Sequence, residues 1–277
     1  MKDTEFTTDE RTVFLTVLTN ETYIRGVKAL KRSLRNAKSK HDLIILVPQS
    51  KAENLRYALE NNRILDQHCR LVVKEDVNII YPEGIVFKEH YWANTFFKLS
   101  VANCTEFKKI VLLDSDMLIA RNIDHLFDKP HYSACAAGHC VQPDWVKLNS
   151  GIMVINPSVD FYKKLLDCVE PAMRRRYSEG NNISDQDVFQ EAFPDWEEHG
   201  ELQLSEKYNC FFSCIRFFVQ KENIRFNDIA VVHFVGETKP WSKGCFTKEN
   251  LRKCLSMIIH GRFYELKVFI EYLLLSV

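Results

Sequence analysis

Apolar residues along the chain fall into two kinds of run, and their order predicts the architecture. Short continuous runs rich in Val, Ile, Leu and Phe predict strands at 12–19 (TVFLTVLT), 42–47, 70–73, 110–113, 132–137, 151–155 and 230–234. Between them apolar positions recur at spacings of three and four, as a helix with one buried face requires. Ile24, Val27, Leu30 and Leu34 mark a helix over 22–37, and further helices follow at 52–61, 91–104 and 159–176. Near 184 the pattern Ser184-Asp185-Gln186-Asp187 resembles a capping box with Asp in place of Glu, which leaves Asp185 and Gln186 in a first helical turn. Strand and helix alternate throughout, so a doubly wound α/β sheet is expected. No repeat, linker or low-complexity stretch interrupts the chain. One domain over 1–246 is therefore expected, with a helical C-terminal appendage over 247–277 in which Leu251, Leu255 and Ile258, then Phe263, Leu266, Ile270 and Leu273, are in phase.

Composition narrows the function classes. With 37 basic and 37 acidic residues in 277, no global charge draws the chain to nucleic acid or an anionic membrane, and any phosphate must be met locally. The final apolar run is broken by Glu265, Lys267 and Glu271 and cannot span a bilayer. The polar, acidic start lacks the features of a signal peptide. Nine scattered cysteines without a C-x-x-C pair predict reduced, mostly buried thiols and a cytoplasmic location. Zinc sites built on Cys135 with Cys140, or Cys210 with Cys214, are the weaker alternative. The turn after the first strand, Thr19-Asn20-Glu21-Thr22-Tyr23, contains no glycine, which argues against a nicotinamide dehydrogenase or a P-loop kinase.

Candidate chemistry centres on Lys109-Ile110-Val111-Leu112-Leu113-Asp114-Ser115-Asp116. A buried strand ending on two carboxylates places them where open α/β sheets bind ligands. Two acidic groups so close repel unless a cation lies between them, and a hard divalent ion would take their oxygens. Alone, the D-x-D pattern more often marks a surface turn with two solvated aspartates. A haloacid-dehalogenase phosphatase also ends a strand in D-x-D, but on its first strand, whereas three strands precede this one. The stretch 138–148, with His139, Pro143, Asp144 and Trp145, has the mixture expected of a substrate loop.

Four separated segments resemble the glycogenin-type nucleotide-sugar glycosyltransferases, family eight: VFLTVLTNETY from Val13, IVLLDSDMLIARNIDHLF from Ile110, NSGIMVINP from Asn149 with Asp185-Gln186, and HFVGETKPW from His233. That resemblance implies a GT-A fold, a Rossmann-like mixed sheet flanked by helices, and retaining transfer from a Mn2+-bound UDP-sugar. By motif position it assigns the metal to Asp114, Asp116 and His233, the last of which alone would pass for a core histidine. Gly236 and Lys239 fall on the diphosphate clamp, and Thr19, Asn20 and Tyr23 on the uracil and ribose positions. Lys98, Asn149, Asp185 and Gln186 fall around the transferred sugar, and Ser115 sits within the donor site between the two metal ligands. Asp185, Gln186 and Lys239 are the expected catalytic group.

The chain departs from the family pattern at three places. Asn182 stands where glycogenins carry an aspartate, and no arginine matches near 89–91, which puts a glucose preference in doubt. An ungapped match from Tyr208-Asn209 puts Arg216 at the self-glucosylated tyrosine, and a protonated guanidinium is a poor nucleophile. The expected reaction is thus transfer of a hexose, glucose or galactose, to a separate saccharide or glycoconjugate, with Trp145, Phe211 and Phe212 as candidate wall residues. A self-glucosylating primer and a degenerate UDP- or glycan-binding protein are the alternatives. A second copy of the chain is a candidate partner.

Overall fold

The structure is a computed structural model that describes residues 12–277 apart from 86–89, 137, 139, 141, 143, 222, 237, 238 and 243. A loop is expected at 82–89, of which 86–89 lie outside the described residues, as do His139 and Pro143 of the expected substrate loop. Ten strands are β1 (Thr12–Val17), β2 (Leu43–Pro48), β3 (Cys69–Lys74), β4 (Lys109–Leu113), β5 (Met117–Ile119), β6 (Ala134–Cys135), β7 (Asn149–Ile155), β8 (Gln203–Leu204), β9 (Cys210–Phe211) and β10 (Val231–His233). The helices are α1 (Ile24–Asn36), α2 (Ala52–Asn61), α3 (Val159–Asp167), α4 (Val169–Ser178), α5 (Asp185–Ala192), α6 (Ile215–Lys221), α7 (Lys248–Ile259) and α8 (Phe263–Ser276), with a long 3-10 segment at His90–Asn103.

Seven strands form one sheet in the order β3-β2-β1-β4-β7-β6-β8. Its first four are parallel, β7 runs antiparallel to β4, and β6 antiparallel to β7. The sheet is therefore mixed and Rossmann-like, as expected. Successive strand side chains point to opposite faces, and both faces are covered. Val13, Leu15, Ile44, Ile110 and Leu112 enter a core closed by the 3-10 segment, α3, α4 and α5. Phe14, Ile45, Val111 and Leu113 enter a second core beneath α1, α2 and α8. A small sheet, β5-β10-β9, lies against this second side and carries the segment after β4 back toward the strand tips.

Three local expectations change. The helix expected over 159–176 is two helices, because Pro171 in the first turn of α4 has no N–H to give to Asp167 and the chain restarts at Cys168. The strand expected at 132–137 shrinks to β6, since Tyr132 takes a left-handed backbone (φ 71) and the register shifts at Ala134/Cys135. In the C-terminal pair, the side chains that enter the core are Met257, Val268, Phe269 and Tyr272, together with Leu273 of the expected stripe. Leu251, Leu255, Ile258, Phe263 and Ile270 of that stripe face outward.

The cysteine reading is corrected as well. Cys140 and Cys214, 74 residues apart, form a disulfide, and seven other cysteines are free. Spacing along the chain could not reveal this pair, because the fold brings their Cα atoms to 5.8 Å. The pairing uses one member of each suggested zinc couple, and the only cluster of three or more metal-capable side chains among the described residues lies elsewhere. It also removes the cysteine-based argument for a reducing compartment.

Candidate active site

At the carboxyl ends of β1 and β4 a cleft of about 790 Å3 opens. Its rim and floor bring together most of the residues singled out above: Thr19, Asn20 and Tyr23 from the turn after β1, Lys98 from the 3-10 segment, Asp114, Ser115 and Asp116, Asp185 and Gln186, and Gly236 and Lys239. Thr95, Ser150, Ser184 and Lys51 also line it and were not anticipated from sequence.

The aspartates are placed by backbone bonds that continue the sheets. Asp114 N–H donates to Gly151 O at 2.9 Å, extending the β4–β7 pairing by one step. Phe234 N–H donates to Asp116 O at 3.0 Å, at the point where β10 pairs with β5 and His233 lies opposite Met117. His233 thus reaches the same spot from the other sheet. Its Nε2 lies 3.1 Å from Asp116 Oδ1 and 3.8 Å from Asp114 Oδ2, and one ligand atom from each of the three residues falls within 4.8 Å of the others. An octahedral ion with bonds of about 2.1 Å needs neighbouring donors about 3 Å apart and opposite ones about 4 Å apart. The two distances from His233 meet that spacing and all three donors lie within 4.8 Å, so they fit a divalent cation, and their mixture of two carboxylates with one imidazole suits Mn2+ at least as well as Mg2+.

Two ammonium groups balance the carboxylates. Lys98 Nζ lies 2.7 Å from Asp114 Oδ1 and 3.3 Å from Asp185 Oδ2. Lys239 Nζ donates to Asp116 Oδ2 at 2.5 Å and to Phe234 O at 3.0 Å. Burial alone would lower the Lys98 ammonium, but Asp114 and Asp185 hold it well above the ordinary lysine range. Burial would likewise raise Asp116, yet His233 and Lys239 keep it far below the usual carboxylate range. Asp114 moves the other way: burial raises it more than Lys98 and His233 lower it. The cleft holds charge in pairs.

One chain of hydrogen bonds fixes the orientation of the neutral groups. Gly151 N–H, which can only donate, points at Asn149 Oδ1 at 3.0 Å. The same oxygen faces Asn209 at 2.7 Å, so Asn209 must present its NH2 there and its Oδ1 to His233 Nδ1, 2.8 Å away. His233 therefore donates from Nδ1, and Nε2 faces the space it shares with the two carboxylates, where its lone pair can serve a cation. On the other side Asn149 NH2 donates to Gln186 Oε1 at 2.8 Å, which leaves the Gln186 NH2 group for the cleft. Asp185 accepts from Ser150 Oγ at 2.8 Å. The capping box forms as expected, with Asp187 accepting from Ser184 N–H, so Asp187 is structural and Asp185 and Gln186 sit in the first turn of α5.

Two glycines matter by what they omit. A Cβ on Gly151 would lie 2.8 Å from His233 Cε1, and one on Gly26 would lie 2.6 Å from Ser115 O. At Gly236 the reason differs: φ is +102 with open space around the missing Cβ, so the position needs the backbone turn and leaves that face of the chain bare. Asn20 spends its Oδ1 on Thr22 N–H, and Lys51 Nζ holds Thr19 O at 3.0 Å. Tyr23 rests edge-on against Trp241.

The candidate wall residues are not in the cleft lining. Phe211 is buried edge-on against His233, Phe212 stacks on Phe234, and the Trp145 indole N–H donates to Lys147 O. Phe211 belongs to the core, and Phe212 is partly buried against it. Asn209, which the sequence marks only as half of the Tyr208-Asn209 landmark, is fully buried beside the metal candidates. Asn209→Ala is expected to weaken Mn2+ binding by roughly 10–100-fold, the usual cost of losing the partner that orients a histidine ligand. Asn209→Asp, which keeps the acceptor for Nδ1–H, should recover part of it. Paramagnetic titration of free Mn2+ measures both, and equal affinity in wild type and Asn209→Ala would remove the orienting role.

Geometry and donor set together define a glycosyltransferase of the GT-A kind. Residues 14–245 match glycosyl transferase family 8. The chain belongs to that family, and it is similar to human glycogenin-1 (28% identical over 231 residues, covering 83% of this chain and 62% of that protein). It is also similar to galactinol synthase 3 of Arabidopsis thaliana, 28% identical over 256 residues, covering 79% of this chain and 70% of that protein. In fold it resembles the galactosyltransferase LgtC solved with donor and acceptor sugar analogues, with a TM-score of 0.57 at 15% identity over 82% of this chain and 88% of that one. The glycosyltransferase GlyE of Streptococcus pneumoniae gives 0.55 at 18% identity, over 94% of this chain and 63% of that one. The chain thus spans a little under two thirds of human glycogenin-1.

Proposed function

We propose that this enzyme transfers a hexose from a UDP-hexose to a separate saccharide or glycoconjugate acceptor, with Mn2+ and with retention of anomeric configuration. The observation that carries the reading is the convergence, in one cleft, of a three-donor cation site with Lys239, Gly236 and the Asp185-Gln186 pair. Asp114, Asp116 and His233 would hold Mn2+, which supplies Lewis-acid stabilisation of the charge that develops on departing UDP. Lys239, next to Gly236, is positioned to move from Asp116 to the diphosphate. Thr19, Asn20 and Tyr23 form the wall on which the uridine would rest. Around the sugar, the Lys98 ammonium, the Gln186 NH2 group and the Asp185 carboxylate offer the donors and acceptor that hydroxyl groups require. The hexose transferred is glucose or galactose.

A separate acceptor is supported by Arg216. Its guanidinium lies 3.1 Å from the buried Glu265 carboxylate and donates to the His260 and Gly261 carbonyls, so it clamps the turn between α7 and α8. It serves the fold there. The test is a screen of UDP-hexoses with Mn2+, reading UDP release and intact protein mass together. One donor should be hydrolysed slowly without any gain in protein mass, and a hexose ladder on the protein that persists at high dilution would instead support self-glycosylation.

A further inference from the structure

The outward-facing C-terminal helices are the unexplained feature of the molecule. Nine of the fifteen exposed large apolar side chains among the described residues lie between 246 and 277. Between α7 and α8 they line a groove of about 410 Å3 that includes Phe246, Leu251, Ile270 and Leu274. The apolar surface continues beyond the groove to the tip of the helical pair, where Ile259 is 79% and Phe263 66% exposed. Basic groups adjoin it. Arg25 reaches Cys245 Sγ, on the groove wall, at 3.8 Å, and Arg32 donates to the backbone oxygens of Leu275 and Val277 at 2.9 and 3.4 Å. Lys28 lies between them, and its ammonium is held below the ordinary lysine range by burial and by Arg32, Arg25 and Arg63. Among the described residues neither Arg25 nor Lys28 has an acidic partner, while Arg32 is tied to the end of α8.

We propose that this face docks on an anionic lipid bilayer, with the α7–α8 apolar side chains entering the headgroup boundary and Arg25, Lys28 and Arg32 meeting acidic headgroups. Charge selects this occupant over a second copy of the chain. A two-fold dimer through the same face would bring two uncompensated basic rows together, while acidic lipids neutralise one. Shape agrees: Phe246, Ile259 and Phe263 protrude and are spread along the helical pair, which a fluid interface accepts without a complementary pocket. Neither helix is long and apolar enough to cross the membrane, so the contact is peripheral.

The experiment is co-sedimentation of the full chain, without donor, with phosphatidylcholine vesicles and with vesicles containing about 30% phosphatidylglycerol, a fraction chosen so that each basic side chain finds an acidic headgroup. Binding should be at least tenfold tighter to the anionic vesicles and should weaken with salt. Arg25→Glu with Lys28→Glu should abolish the preference, and Leu251→Glu with Leu274→Glu should abolish binding, each with an unchanged melting temperature. If the double Leu variant does not fold, Phe246→Ser and Leu251→Ser singly carry the same test. Equal binding to both vesicle types, no binding to either, or a dimer that the Leu substitutions convert to monomer would each overturn the proposal.

Discussion

In Asp116→Ala and in His233→Ala, Mn2+ is expected to lose its effect on UDP binding, and transfer should fall on the order of 10³-fold or more, beyond the cost of a single fixed donor. The two variants should differ without metal. In the metal-free cleft Asp116 and Lys239 neutralise each other at 2.5 Å, so a diphosphate competes with Asp116 for the ammonium. Removing Asp116 frees Lys239, and metal-free UDP affinity should hold steady or rise. Removing His233 leaves the pair intact and should change nothing metal-free. Calorimetric titration of UDP with and without Mn2+ reads both effects, and equal metal enhancement in either variant would break the ligand assignment.

The strand tip that carries Asp114 and Asp116 and the capping box that sets Asp185 and Gln186 in a first helical turn follow from local patterns, whereas Lys239 and His233 stand out in the chain only through the resemblance to family eight. The alternating cores were legible because period-two and period-3.6 patterns follow from backbone geometry. Asn209, Ser150 and Thr95 were not, since their importance lies in partners 60, 35 and 90 residues away. A polar side chain announces no partner. The Cys140–Cys214 bond failed for the same reason. At the C-terminus the phase of Leu251, Leu255 and Ile258 was real, but periodicity gives the face of a helix and not what lies opposite it. There the core took Met257, Tyr272 and Phe269 instead.

Asp185→Asn is the substitution that separates the sugar side of the cleft from the metal side. Asp185 is nearly buried at the start of α5, with Oδ2 accepting from Ser150 Oγ at 2.8 Å and facing Lys98 Nζ at 3.3 Å. Asparagine keeps the volume and one acceptor but removes the negative charge. If that charge acts on the reacting sugar, as nucleophile or as stabiliser of positive charge on the anomeric carbon, kcat should fall on the order of 10²- to 10³-fold, while UDP affinity in Mn2+ stays nearly unchanged. Lys98 supplies the alternative route, because the same ammonium also holds Asp114 at 2.7 Å. Were Asp185 to act only through Lys98, its loss would tighten the Lys98–Asp114 pair, and Mn2+ and UDP would weaken together with the rate. Single-turnover kinetics alongside Mn2+ and UDP titrations distinguish the two: a fall in kcat at constant affinities places Asp185 at the sugar, and a parallel fall in all three places it behind Lys98.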